Sequence, residues 1–178
     1  MKRILGPDEI AAAIERLAAE IRQRTAGGQL CLVGIRSRGD EVAERLRDLL
    51  VRGGADVALG VLDISLYRDD FEHLRENPKL QASEISFPVD GARIILVDDV
   101  LFTGRTIRAA LEALSDYGRP ARVELATLID RGHRELPIQP DFTGIRLETS
   151  RFDHVHVSLA KTDGDDRIEV VEQADADG

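Results

Sequence analysis

Two adjacent carboxylates, Asp98 and Asp99, stand just upstream of the run Thr103-Gly104-Arg105-Thr106. The two groups suit opposite ends of one ligand. Thr103, Thr106 and the amides around Gly104 can donate to a phosphate, and Gly104 lets the backbone approach it without a side chain between. The carboxylates would repel that phosphate if they faced the same way. They make sense as acceptors for vicinal hydroxyls about one sugar away, or as partners of a hydrated Mg²⁺. A phosphorylated ribose satisfies both ends. The competing reading is a strand end with a solvated acidic turn.

The flanking residues must position this pair of sites. Ile94 to Val97 is an apolar run of the kind that forms a strand buried on both faces, and it breaks at the carboxylates. Beyond the Thr-Gly turn, Ile107, Ala110, Leu111 and Leu114 repeat at helical spacing, with Gly118 as the stop and Pro120 to prevent resumption. A strand–loop–helix aims free N–H groups and a helix dipole at the carboxyl end of a sheet, which is a phosphate site. Ile95 to Thr106 resembles the phosphoribosyl-diphosphate (PRPP) motif of type I phosphoribosyltransferases. In that family the paired acids hold the ribose hydroxyls and the Thr-Gly-Arg-Thr turn holds the 5-phosphate. The resemblance implies that Asp98, Asp99, Val100, Leu101, Phe102, Thr103, Gly104, Arg105 and Thr106 line the PRPP or nucleotide site.

A PRPP site must also grip the diphosphate, from a loop at the carboxyl end of a neighbouring strand. Arg36-Ser37-Arg38-Gly39 follows the apolar run Leu30–Ile35 and offers amides, a hydroxyl and guanidiniums; the bland alternative is an ordinary turn with surface arginines. The resembling family often has a cis peptide not preceding proline in this loop, which would place Ser37 or Arg38 in an uncommon geometry. The polar stretch Tyr67 to Pro88 lacks periodicity, and such a length inside a domain is usually functional or mobile. In type I enzymes the matching loop closes over the diphosphate, with Tyr67 and Arg68 as candidates here. Ile129, Asp130, Arg131 and Gly132, with Phe102 and an apolar cover from Leu136-Pro137-Ile138, would form the base site.

The hood residues Asp130 to Ile138, with Asp63 to Asp70 and Gly118-Arg119-Pro120, narrow the likeness to the PyrR family of bacterial pyrimidine-operon attenuators, which are also uracil phosphoribosyltransferases. The similarity covers nearly the whole chain apart from its ends. It implies UMP and diphosphate from uracil and Mg²⁺·PRPP, with Asp98, Asp99 and Arg38 as catalytic groups and the two aspartates near Mg²⁺ through ribose hydroxyls or water. Where purine enzymes of the hypoxanthine-guanine type place an Asp before the Thr-Gly, this chain has Phe102; PyrR proteins have Tyr. The family also binds pyr messenger RNA, implying roles for Arg16, Arg134 and Arg151, while Glu15, Ala19, Gln139 and Ile145 depart from its pattern. Homodimers or homotetramers are expected from the family alone. Another base on the same scaffold, or a nucleotide sensor with little activity, stays open. His154 and His156 could share a strand face, but no third ligand stands at a matching spacing.

The 178 residues fit one domain of the type I α/β fold, residues 1–171, with an acidic tail, 172–178, expected to be disordered. Hydrophobic residues at 43% support a packed core, and aromatics at 4% make it aliphatic. No window approaches the ~18 apolar residues of a membrane span, and no secretory signal is visible, so a cytoplasmic protein is expected. Cys31 in a buried strand reads as an inert thiol. The net charge of −9 argues against a generally basic surface. In order, the pattern predicts a helix opening at Pro7 with Ile10, Ile14, Leu17 and Ile21 inward and Gly27-Gly28 ending it. The strand Leu30–Ile35 follows, then a helix capped by Asp40 with Val42, Leu46 and Leu49 inward, and a strand over Val57–Leu66. After the central unit come a strand over Val123–Ile129 and antiparallel segments Val155–Leu159 and Arg167–Val171 joined through Asp163-Gly164. This alternation predicts a mainly parallel sheet with helices on both faces.

Overall fold

A computed structural model describes residues 2–25, 27–68 and 83–174. Five strands, β2 (Leu30–Ile35), β3 (Val57–Leu62), β4 (Arg93–Leu101), β5 (Arg122–Asp130) and β6 (Phe142–Arg146), form a parallel sheet in the order β3-β2-β4-β5-β6. The helices between β2 and β3 and between β4 and β5 carry the chain back for parallel pairing, and β6 follows β5 in parallel through the segment 131–141 with no helix between. A smaller antiparallel sheet joins β1 (Lys2–Leu5), β8 (Arg167–Val171) and β7 (His154–Ser158) in the order β1-β8-β7.

The large sheet is buried on both faces because its strands are apolar at successive positions. On one face Leu30, Leu32, Ile95, Val97, Ala126, Leu128 and Phe142 meet α1 (Pro7–Arg24) and α2 (Gly39–Arg52). On the other, Val33, Ile35, Ile94, Leu96 and Leu125 meet α3 (Arg105–Ser115). Val157, Ile168 and Val170 of the small sheet join the first core, so the two sheets share packing. Truncating a fully buried member such as Leu46 to Ala should cost about 2–5 kcal/mol. Cys31 is a buried free thiol, and burial raises its pKa, consistent with an inert core residue.

Several expectations change. β4 does not break at the carboxylates; it continues to Leu101 because Asp98, Val100 and Leu101 keep their register with Thr127, Ile129 and Asp130 of β5. Arg38, not Asp40, is the N-cap of α2, and no side chain caps it; Asp40 lies within the first turn. Leu50 is buried where Leu49 is only partly so. The third strand ends at Leu62 and a single 3₁₀ turn, Ser65–Tyr67, follows. Leu111 of α3 is 39% exposed. That helix ends at Ser115, ahead of Gly118. α4 (Ala160–Asp163), rather than a tight hairpin turn, joins β7 to β8, and Gly164 ends it in the left-handed region. β1 and β6 were not anticipated. The chain end at 175–178 and the segment 69–82 lie outside the described residues. Among the described residues no helix is long and apolar enough to cross a membrane.

Candidate active site

β2 and β4 are neighbours running the same way, so their following loops meet at one edge of the sheet. Asp98 is 4% exposed, with its carboxylate accepting the Asp99 N–H at 2.9 Å; the Asp99 carboxylate accepts the Val100 N–H at 2.9 Å. Burial pushes both acids above the usual carboxylate range. Asp98 is shifted further, because Asp99 sits beside it, whereas a hydrogen bond with the Asp98 side chain, backbone donors and Arg38 pull Asp99 back down. A buried acid pair of this kind calls for a hydroxyl-rich ligand or a cation to stabilise its charge.

The loop after β2 lies directly against this pair. A Cβ at Gly39 would fall 2.5 Å from the Val97 carbonyl oxygen and 3.1 Å from Asp98 Cα, so only glycine fits the approach. The Arg36–Ser37 peptide is cis and Arg38 has φ 77°, the geometry the resemblance implied. Arg36 Nη2 stands 3.9 Å from Glu84. The Arg38 guanidinium is held in a fork by Asp163, Nε to Oδ2 at 3.0 Å and Nη2 to Oδ1 at 2.9 Å.

The loop after β4 is built differently. Gly104 has φ 94°, a left-handed N-cap for α3 with no side-chain cap. The first-turn N–H groups of a helix have no partners within it, so this end presents main-chain donors. The Thr103 carbonyl accepts the N–H groups of Glu135 at 2.9 Å and Leu136 at 3.1 Å, tying the loop to the hood. Thr103 Oγ1 accepts the Arg105 N–H at 3.3 Å, and Arg105 pairs with Glu135 at 3.3 Å.

At the far end Phe102 lies under the Arg131 guanidinium, 4.0 Å from its ring centre, with the His133 ring edge-on at 6.1 Å. Arg131 is buried and donates to the carbonyls of Ser150 at 3.1 Å and Asp153 at 2.9 Å; burial lowers its pKa. The Asp130 carboxylate accepts the Gly132 N–H at 3.0 Å, and the Arg131 N–H donates to the Leu101 carbonyl at 3.1 Å. The candidate site is therefore one continuous edge, with main-chain donors at the start of α3, a buried acid pair and an aromatic floor.

The Phosphoribosyl transferase domain family model matches residues 2–161. A Bifunctional protein PyrR of Elusimicrobium minutum is 49% identical over 169 residues, covering 94% of each chain. One from Roseiflexus sp. is 52% identical, covering 92% of this chain and 90% of the relative. The chain belongs to the PyrR family of phosphoribosyltransferases. A hypoxanthine-guanine phosphoribosyltransferase of Bacillus anthracis superposes on the PyrR-family chain with a TM-score of 0.72 at 16% identity, covering 95% of this chain and 98% of that one. The hypoxanthine phosphoribosyltransferase of Trypanosoma cruzi gives 0.69 at 16% identity, covering 96% of each. At such identity these two bear on the fold alone, and they agree with it.

Within this PyrR-family fold, the loops Arg36–Gly39 and Asp98–Thr106 come together as the sequence implied. Tyr67, a candidate for the closing loop, lies against α3. The Tyr67 hydroxyl donates to Asp116 beyond the carboxyl end of α3, its carbonyl accepts Arg108 Nη2 at 2.7 Å, and Arg68 is exposed. Of the residues named for RNA, Arg16 donates to the Gly144 carbonyl at 2.9 Å and Arg151 pairs with Glu135 at 2.6 Å. Arg134 faces inward, holding the carbonyls of Ile138 at 2.8 Å and Phe102 at 2.9 Å and the Asp130 carboxylate at 2.8 Å. It is a brace of the hood. His154 and His156 stack at 6.1 Å, and among the described residues no cluster of three or more ligands could hold a metal. Asp163, Glu41 and Glu135 were missed. Asp163 read as half of a turn, and no local pattern marks it or either glutamate.

Proposed function

We propose that this phosphoribosyltransferase transfers phosphoribose from Mg²⁺·PRPP to N1 of uracil, giving UMP and diphosphate. The observation that carries the uracil reading is the base end of the site. At the position before Thr103 there is an aromatic ring, clasped by Arg131 and His133, and no carboxylate able to exchange a proton with a purine. The curated relatives named PyrR support the same reading.

Asp98 and Asp99 orient the ribose hydroxyls, and as the bond to diphosphate lengthens their charge favours the positive charge developing on the ribose. Thr103, Gly104 and Thr106 hold the 5-phosphate at the start of α3. The Arg36–Gly39 loop, with Arg38, takes the diphosphate. A buried pair of oxygen donors with no third His, Cys, Asp or Glu beside it among the described residues fits an ion that keeps water and substrate oxygens in its shell, which is the habit of Mg²⁺. When bound, Mg²⁺ supplies charge neutralisation for the diphosphate. No protein nucleophile is required. The test is diphosphate release with Mg²⁺ and PRPP across uracil, orotate and the common purines. Release with uracil alone is expected; release only with a purine would overturn the assignment.

A second reading rests on the word bifunctional in the relatives' name: the same pocket senses UMP against PRPP while an outer surface binds a pyr leader RNA. Arg16 and Arg151 are exposed and suited to phosphate contacts, whereas Arg134 would act by holding the hood in shape. A gel shift with the leader RNA should be promoted by UMP and weaken as salt rises. No shift with UMP at low salt leaves the enzyme alone.

A further inference from the structure

The short helix α4 is joined to the site edge more firmly than a simple connection between β7 and β8 requires. Glu41, in the first turn of α2 and 5% exposed, accepts the N–H groups of Lys161 at 2.8 Å and Thr162 at 3.0 Å, and the Thr162 hydroxyl at 2.7 Å. The Ala160 N–H donates to Asp166 at 2.8 Å, and Asp166 in turn pairs with Arg45 of α2 at 2.9 Å. The free N–H groups that open α4 are thus all satisfied, two of them from α2 itself. At the other end of α4, Asp163 Oδ2 accepts the Leu159 N–H at 2.8 Å while both its oxygens face Arg38. The carboxylate is fixed before it meets the guanidinium.

We propose that Asp163 is a positioning residue for the diphosphate: its fork holds Arg38 Nε and Nη2 so that Nη1 is presented to the ligand. This rests on the reading of the Arg36–Gly39 loop as the diphosphate grip. A bidentate fork fixes the plane of a guanidinium, which a single contact does not. Among the described residues Nη1 has no partner. Arg38 is the N-cap of α2 and Glu41 lies in the same first turn, so one turn of chain both carries the cation and anchors the helix that aims it. The small sheet therefore contributes to the site through one side chain, without reaching the ligand.

The experiment is a double-mutant cycle on the intact protein, reading PRPP and diphosphate binding by calorimetry and KM for PRPP and for the base. Asp163→Ala should weaken PRPP and diphosphate roughly tenfold, the scale of a lost charged hydrogen bond, and leave KM for the base unchanged. Asp163→Asn, which keeps acceptors for Leu159 and for one guanidinium N–H, should recover part of the loss. In an Arg38→Ala background Asp163→Ala should add nothing. Equal losses in both backgrounds, or none in the wild-type background, would overturn the positioning role. If Asp163→Ala fails to fold, the Asn variant carries the same cycle with a smaller expected effect. If Arg38→Ala itself leaves PRPP and diphosphate binding intact, the diphosphate reading falls, and this role with it. Weak binding in Arg38→Ala beside normal binding in Asp163→Ala removes the positioning role alone.

Discussion

The loops that leave β2 and β4, which we propose grip one ligand, stand side by side yet are built from different materials. The β4 loop uses main chain: a left-handed glycine, an uncapped helix start and two threonines, held from behind by hood N–H groups on the Thr103 carbonyl. The β2 loop uses side chains: a guanidinium aimed by a carboxylate from a helix more than a hundred residues away in the chain, over a glycine pressed on β4. A main-chain grip is set by local backbone geometry, and no single side chain can remove it. A side-chain grip is only as good as the residues that aim it. Between the two loops lie Asp98 and Asp99, which neither loop neutralises fully.

The largest effect should come from this middle ground. Asp99→Asn should lower kcat by about 10²–10³-fold, the scale of a lost electrostatic contribution in a water-poor site, while leaving the fold intact. Its thermal midpoint should rise, because the substitution removes a charge that burial disfavours. The gain has a pH signature. A carboxyl whose pKa is raised in the folded state contributes stability below its unfolded value, and this is lost as pH rises through the folded value. The midpoint advantage of Asp99→Asn over wild type should therefore be clear at neutral pH and vanish on acidification toward the ordinary value of 3.8. An advantage that grows on acidification would mean that the pair is stabilised as anions.

Next in size are the changes that separate the two loops structurally. Gly39→Ala places a Cβ 2.5 Å from the Val97 carbonyl oxygen, a backbone atom of the central strand that cannot swing aside, and should cost about 2–3 kcal/mol with loss of activity. Gly104→Ala meets the Ile138 side chain at 3.2 Å, which can shift, so its cost is the left-handed backbone, about 1–2 kcal/mol. Chemical denaturation of both variants checks the order; a larger loss at Gly104 would reverse the contrast between the loops. Arg134→Ala should cost about 2–3 kcal/mol by removing the donor to the Phe102 and Ile138 carbonyls and leaving Asp130 with only the Gly132 N–H, and should raise KM for the base more than KM for PRPP.

This division also explains what could be read in advance. The β4 loop is a contiguous segment in which strand, acids, turn and helix stripe follow in order, and the parallel sheet follows from alternation. What was illegible depends on distant partners. β1 is a strand only because β8 pairs with it, and β6 is a short segment interrupted by Gly144. Leu111 sits on the apolar stripe of α3, yet nothing covers it fully. Asp40 has the chemistry of a cap, but the tight turn at Arg38 starts the helix before it. Asp163 belongs to the Arg38 loop in space and to a different sheet connection in sequence. Arg134 carries a charge that suggests a surface, and its neighbours Asp130, Phe102 and Ile138 turn it inward.

The smallest effect should come where the two materials meet at the surface. Glu135 accepts from both Arg105 and Arg151, and these cations hold its carboxyl below the usual range. Yet the group is solvent-exposed, and exposed ion pairs contribute little. Glu135→Gln should leave the thermal midpoint unchanged within error, because the Glu135 main-chain N–H, not its side chain, holds the Thr103 carbonyl. It removes one negative charge beside Arg105 and Arg151, so PRPP binding should tighten slightly at low salt and return to the wild-type value at high salt. A clear loss of stability, or salt-independent weakening of PRPP, would mean that the β4 loop leans on side chains after all, and the contrast with the β2 loop would collapse.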